Sequence, residues 1–213
     1  MAIQYNDAAE TVKIADRVGK KYGVIFQCRY NDASIFVKQY LTNGSLGKII
    51  SARAVLTWDR NGEYYTSSDW KGTPDKEGGG VLIDQAIHSI DLMNWLIDSE
   101  LEFVDVSLSN HNHDYIVVED SAEGFVKYKN GAKALFWATT CYSIDEPIDI
   151  RLHCEKGTVR MTYDDAIIRF NNGQVLTISQ RDPTIDDYLG GKQCWGLSHK
   201  VQIEQFYNSV LYD

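Results

Sequence analysis

The stretch EGGGVLIDQAIHSIDLMNWL, residues 77–96, decides how the rest of the chain reads. Three consecutive glycines allow the backbone to come close to something bulky, or to take φ > 0, just before a helix begins. From Val81 to Leu96 most positions are apolar, so the spacing predicts a largely buried helix. Within it Asp84, His88 and Asp91 recur at intervals of four and three, which puts their side chains on one stripe near the helix start. Two readings of that stripe stand side by side. Asp84 and His88 form an internal pair that pins the helix, or they form a general acid/base site in which a neighbouring carboxylate holds the imidazole in one tautomer.

Working outward toward the start of the chain, Asp7 and Glu10 have capping-box spacing, and apolar residues at helical intervals predict a helix over 7–22, stopped by Gly23. The run VIFQCR reads as a buried strand whose end carries Arg29, Tyr30 and Asn31, the kind of place where α/β folds collect ligand contacts. Asp32 is placed to cap a second helix through Leu41, closed by Asn43 and Gly44. From Lys48 to Arg60 the period is two, with Ile50, Ala52, Ala54, Leu56 and Trp58 on one face of a long strand. The connection from Asn61 to Glu77 holds Tyr64, Tyr65, Trp70 and Lys71, and its length and aromatic content read as functional.

Toward the other end the pattern is mostly strands. LEFVDVSLSN, SAEGFVKYK, AKALFWATTC, IDIRLHCE and TVRMTY alternate, and Asn130-Gly131 and Asn172-Gly173 mark tight hairpins. Seven or more strands make an α/β (α+β) fold: a large open, mainly antiparallel sheet with helices on one face. The other face is expected to be a subunit interface, since so wide a sheet rarely stays bare. After a polar segment from Arg181 to Gly191, CWGLSHKVQIEQFYNSVLY reads as a helix entered at Ser198, with His199 in its first turn.

A formal charge of −9 over 213 residues argues against nucleic acid or an anionic membrane as partner, because both need clustered Lys and Arg. No apolar run reaches the length of a membrane span. Thirteen tyrosines and five tryptophans suit sugar-like ligands as well as interfaces. Cys28, Cys141, Cys154 and Cys194 are widely spaced with no secretory leader before them, which reads as reduced thiols in a cytoplasmic protein. His111 and His113, with Asp84 and His88, allow a metal-hydrolase reading, but HNHD lies in a polar loop and no metal is expected. No GxGxxG follows a strand and opens a helix, so the sequence carries no dinucleotide-binding fingerprint.

Taken together, FQCRYN, NGSLGKI, DWKGT, GGGVLIDQAIHSIDLMNWL and GLSHKVQIEQFY occur in an order that resembles the Gfo/Idh/MocA oxidoreductases, the glucose-fructose oxidoreductase and inositol dehydrogenase relatives, over almost the whole chain. The resemblance implies a two-domain dehydrogenase: a Rossmann domain holding NAD or NADP, and a second domain whose sheet builds the substrate pocket and a homodimer or homotetramer. Family members carry a Glu-Lys-Pro motif with a lysine assigned to catalysis; here Met1-Ala2-Ile3 resembles the residues directly after that proline. Residues 1–31 are then expected to be a Rossmann remnant and 32–213 the substrate-binding and oligomerisation domain, with no cofactor expected on this chain alone. By the same resemblance Asp84 and His88 are the catalytic pair. The resemblance likewise implies that Arg29, Tyr30, Asn31, Trp58, Tyr65, Trp70, Lys71 and His199 contact substrate. The implied activity is oxidation of a secondary alcohol of a sugar, cyclitol or nucleotide sugar, with YYTSSDWKGT and IHSID most similar to members acting on nucleotide-linked amino sugars. A sugar-sensing protein without activity and a NAD-dependent glycosidase are the alternatives.

Overall fold

The computed structural model describes residues 2–179 and 198–212. Eight strands form one sheet in the order β2-β3-β4-β1-β5-β6-β7-β8. They are β1 (Ile49–Thr57), β2 (Leu101–Ser109), β3 (Ser121–Tyr128), β4 (Lys133–Thr139), β5 (Asp149–Cys154), β6 (Gly157–Met161), β7 (Asp165–Phe170) and β8 (Val175–Ser179). All neighbours are antiparallel except β1 and β4, which run parallel. The mainly antiparallel open sheet expected from the alternation is therefore what forms.

One face is buried and the other is open. Ala52, Ala54 and Leu56 on β1, Ala134, Phe136 and Ala138 on β4, and Ile150 and Leu152 on β5 point into a single core. Over them lie α2 (Asp32–Thr42) and, beyond the short α3 (Gly62–Thr66), α4 (Ile87–Ile97), with α2 and α4 contributing Val37, Leu92, Met93 and Leu96. Removing apolar side chains from water is the main favourable term here, and the run of alanines lets the helices approach the sheet closely. Arg53, Leu135, Trp137, Arg151 and Arg160 occupy the opposite, exposed face. Ile50, expected on the inner face, is instead 46% exposed. The register of β1 against β5 shifts between Ile49 and Ser51, and such a shift re-aims the side chains beside it.

The beginning of the chain departs from expectation in three ways. Helix α1 spans Tyr5–Val18 rather than 7–22; Gln4 is its N-cap, Asp7 sits inside the first turn, and Gly19, at φ 63°, ends it. A left-handed C-cap costs glycine nothing, so Gly19 stops the helix before Gly23 is reached. Residues 20–26 form no strand, and a 3-10 turn spans Gln27–Tyr30. A strand needs a neighbour to satisfy its backbone groups, and instead Gln202 Nε2 donates to the Val24 carbonyl at 2.9 Å from the last helix. That helix, α5 (His199–Tyr212), starts where Ser198 was expected to admit it. The first part of the CWGLSHK motif and the 181–191 segment lie outside the described residues. Finally, the N-cap of α2 is Asn31 rather than Asp32. No described helix is long and apolar enough to cross a membrane.

Candidate active site

The central helix does not begin as an ordinary α-helix. Leu82–Ala86 form a π turn, and α4 continues from Ile87. Gly78 has φ 92°, and Gly80 faces the carbonyl of Glu119 so closely that an added Cβ would lie 1.8 Å from that oxygen. The glycines thus serve close packing: Val81 N–H donates to Glu119 O at 3.1 Å, and Leu82 N–H to Glu119 Oε1 at 3.2 Å. Since the wider turn advances each residue by less than the α-helical angle, Asp84 rotates off the stripe that ideal spacing assigns to it.

As a result Asp84 and His88 are not paired; among the described residues no hydrogen bond or ion pair joins them. Asp84 Oδ2 accepts from the Tyr64 hydroxyl at 2.6 Å, and Gln85 Nε2 donates both to that carboxylate and to Tyr64 Oη at 3.1 Å. Burial, then the hydrogen bond to Asp84, drives the Tyr64 hydroxyl well above its ordinary range, so it stays protonated and serves as a donor. Lys71 Nζ lies 3.7 Å from the centre of the Tyr64 ring and Arg60 lies 5.3 Å from it, so two cations flank the ring. His88 has another environment. Its Nδ1 is enclosed with no hydrogen-bond partner, and the Phe26 ring meets it edge-on at 6.0 Å. Burial lowers its pKa below the ordinary value, an effect that Asp91 and Asp84 only partly oppose. Burial penalises the charged ring, so the neutral imidazole is favoured. The expectation of a carboxylate-held histidine is corrected accordingly.

These groups line a cleft of about 290 Å³ with Trp58, Arg60, Tyr163 and His199. Cys28 lies on its floor, and burial pushes that thiol up to about 12, so it is no nucleophile. Four residues expected at the site therefore meet there: Asp84, His88, Trp58 and His199. The Trp58 indole donates to Glu146 O at 3.0 Å, fixing one wall.

The other expected contacts lie elsewhere. Arg29 spends its guanidinium on Asp91, with Nε 2.8 Å from Oδ2 and a second, short bond from Nη2 to Oδ1. Asn31 is fully buried and donates from Nδ2 to the Tyr163 carbonyl at 2.9 Å. Tyr30 does not line the cleft. The Tyr65 hydroxyl bonds Thr140 at 3.1 Å, and its ring packs with Ile116 and Val118. Trp70 is 40% exposed, and Lys71 acts through the Tyr64 ring and its own bond to Tyr64 O. Sequence reasoning missed Tyr64, Gln85, Arg60 and Tyr163. For Tyr64 a signal existed, an aromatic with a polar tip next to Tyr65 in the loop, but nothing local told the two apart. His111 and His113 wrap Asp120, which accepts the backbone N–H of both and of Asn112. Among the described residues no group of three or more His, Cys, Asp or Glu side chains is placed to hold a metal ion.

A cleft lined by a carboxylate and a buried histidine lies at the head of a helix packed on a broad open sheet. A family model for the GFO/IDH/MocA C-terminal domain matches residues 35–160, and the chain belongs to that family. Among curated relatives it is 25% identical to Oxidoreductase P35 of Formosa agariphila, covering 86% of this chain and 56% of that protein. It is 26% identical to D-glucoside 3-dehydrogenase of Escherichia coli, covering 98% and 60%. Among solved structures, the WlbA dehydrogenase from Bordetella pertussis, in complex with NADH and UDP-GlcNAcA, superposes with a TM-score of 0.80 at 25% identity, covering 99% of this chain and 60% of that one. The chain thus spans roughly 60% of the length of these relatives. The three glycines form no open phosphate cradle, since the space beside them is filled by Glu119, Val118 and Ile3.

Proposed function

We propose that residues 32–213 are the substrate domain of a NAD- or NADP-dependent oxidoreductase acting on a secondary alcohol of a sugar, cyclitol or nucleotide sugar, and that 1–31 belong to its cofactor domain. His88 carries this reading. Its ring is kept neutral by burial, lies in the cleft and has one enclosed nitrogen, which leaves Nε2 as the position that can take a proton. A bound nicotinamide would supply the hydride acceptor. The carbinol proton passes to His88 Nε2. Asp84 Oδ1, which accepts no hydrogen bond among the described residues, is available to a substrate hydroxyl, while Tyr64 and Gln85 hold Oδ2 and fix the carboxylate plane. Trp58 and Tyr163 supply apolar walls against which sugar C–H faces can pack.

The relatives support the sugar class: one is named a D-glucoside 3-dehydrogenase, and the WlbA structure holds NADH with UDP-GlcNAcA. Exposed Leu135, Trp137 and Phe103 on the open sheet face support association into a homodimer or homotetramer. We assign the pyrophosphate cradle and catalytic lysine to a cofactor portion, so these 213 residues alone are expected to bind NADH no more tightly than millimolar. Fluorescence titration showing micromolar NADH binding would contradict this. Joined to a dinucleotide-binding portion ending in Glu-Lys-Pro, the chain should reduce NAD+ or NADP+ with a sugar alcohol. His88→Asn should then lower kcat about 100-fold or more. The acid limb of kcat/KM should lie below the ordinary histidine value of 6.5, because burial lowers the pKa of His88. A variant within threefold of wild type would remove His88 from the proton step.

A further inference from the structure

The 3-10 turn over Gln27–Tyr30 has Phe26 as its N-cap, and Arg29 N–H donates to Phe26 O at 3.1 Å. Positions three apart eclipse in that geometry, so Phe26 and Arg29 lie on one side of the backbone, where an extended strand would have turned them to opposite faces. Across from them, His88 and Asp91 are also three apart, within the regular part of α4, and share one helix face. The two pairs meet corner to corner. The Phe26 ring approaches the His88 imidazole edge-on at 6.0 Å, and Arg29 Nε bonds Asp91 Oδ2 at 2.8 Å while its Nη2 bonds Oδ1. The Arg29 guanidinium lies 5.4 Å from the centre of the Phe26 ring, which closes the square. The Asp91 side chain is 10% exposed, so solvent screens its charge poorly and the bidentate bond to Arg29 is what offsets it.

We propose that Phe26, Arg29 and Asp91 are positioning residues for His88: the Phe26 ring fixes the tilt of the imidazole, and Arg29 offsets the Asp91 charge that would otherwise draw a proton onto it. The inference rests on the reading of His88 as proton acceptor, and adds that the stretch assigned to the cofactor portion sets the state of that acceptor. Among the described residues, the charged and titratable groups around the ring are Asp84 and Asp91 on its own helix, Arg29 and Cys28 on the turn, and His199 on α5, with Arg60, Tyr64 and Tyr163 across the cleft. Burial lowers His88 most; Asp91 raises it, His199 lowers it and Asp84 raises it. Phe26, Arg29 and Asp91 do not line the cleft themselves, so substituting them leaves its walls in place and acts on His88 from behind.

Titration of the His88 ring by carbon-proton NMR in the 213-residue chain tests this, the signal being assigned by its loss in His88→Asn. Arg29→Gln leaves the Asp91 carboxylate uncancelled and should raise the midpoint by about 0.5; Asp91→Asn leaves the guanidinium uncancelled and should lower it by a similar amount. The double variant should return to within about 0.2 of the unmodified chain. Phe26→Ala admits water beside the ring and should move the midpoint up toward the ordinary 6.5, whereas Phe26→Leu, which keeps the cover, should not. Residues that merely held the fold would not give opposite signs for the two halves of one ion pair. Shifts of the same sign, or shifts below about 0.2 in both, overturn the proposal. Should Arg29→Gln fail to fold with its carboxylate left unpaired, Asp91→Asn and the Phe26 variants still decide, and no fall in the first with no rise in Phe26→Ala overturns it. In the cofactor-joined protein, kcat/KM of Arg29→Gln at a pH below the acid limb should drop about threefold, the same 0.5 read as a rate. Midpoints that move as expected without any NAD+ reduction would uphold the positioning of His88 and remove the oxidoreductase reading.

Discussion

Gly80→Ala is expected to be among the most damaging single-methyl additions to this chain, and Gly79→Ala beside it nearly silent. At Gly80 an ideal Cβ would lie 1.8 Å from Glu119 O, 2.9 Å from Glu119 C and 3.1 Å from Val118 Cγ2. Carbon and carbonyl oxygen approach to only about 3.3 Å, so the two backbones must separate by roughly 1.5 Å. That movement breaks the Val81-to-Glu119 hydrogen bond and weakens the Leu82 bond to Glu119 Oε1. Overpacking of this kind costs about 1–3 kcal/mol and each lost bond about 1 kcal/mol, for a total near 3 kcal/mol. In a chain of this size that corresponds to a drop in Tm on the order of 10 °C. At Gly79 the nearest atom to an added Cβ is 3.4 Å away, ordinary contact, and the expected change is within about 0.5 kcal/mol. Thermal unfolding followed by circular dichroism on both variants decides the matter. If Gly80→Ala melts within about 2 °C of Gly79→Ala, the packing account of the three glycines is wrong.

Two further outcomes follow from the site. Burial, reinforced by Asp84 and Glu119, raises Glu77 from its ordinary 4.5 to about 7 although Gly72 N–H bonds it. A carboxyl raised in the folded state contributes stability that is complete below pH 4.5 and lost as pH rises through about 7, so urea unfolding should show stability falling across that window. Glu77→Gln keeps an acceptor for Gly72 and should flatten the slope, ending about 1–2 kcal/mol above wild type at pH 8; an unchanged slope would assign it to another group. Tyr64→Phe removes the hydroxyl that donates to Asp84 and accepts from Gln85, and should cost about 1–2 kcal/mol in unfolding free energy and weaken sugar binding about tenfold. Unaltered sugar binding would show that Asp84 needs no such support.

The sequence by itself determined what rests on short-range periodicity. Alternation placed the strands, Asn130-Gly131 and Asn172-Gly173 marked hairpins that do form, and the apolar run after Gly80 located the helix that packs on β1. Of the residues that the resemblance singled out, Asp84, His88, Trp58 and His199 line the cleft. Only the tertiary structure decided the rest, because those choices depend on groups far apart in sequence. The predicted strand at 24–29 had a suitable pattern but no strand beside it among the described residues, and it forms coil and a 3-10 turn. Arg29 found Asp91, 62 positions away, and left the substrate side. The π turn changed the angle between successive residues, so a spacing of four no longer meant a shared stripe, and Asp84 turned to Tyr64 while His88 Nδ1 was enclosed without a hydrogen-bond partner. Tyr64 and Tyr65 show the limit most plainly: chemically identical neighbours, one bonded to Asp84 and the other to Thr140, distinguished only by what the fold set opposite each.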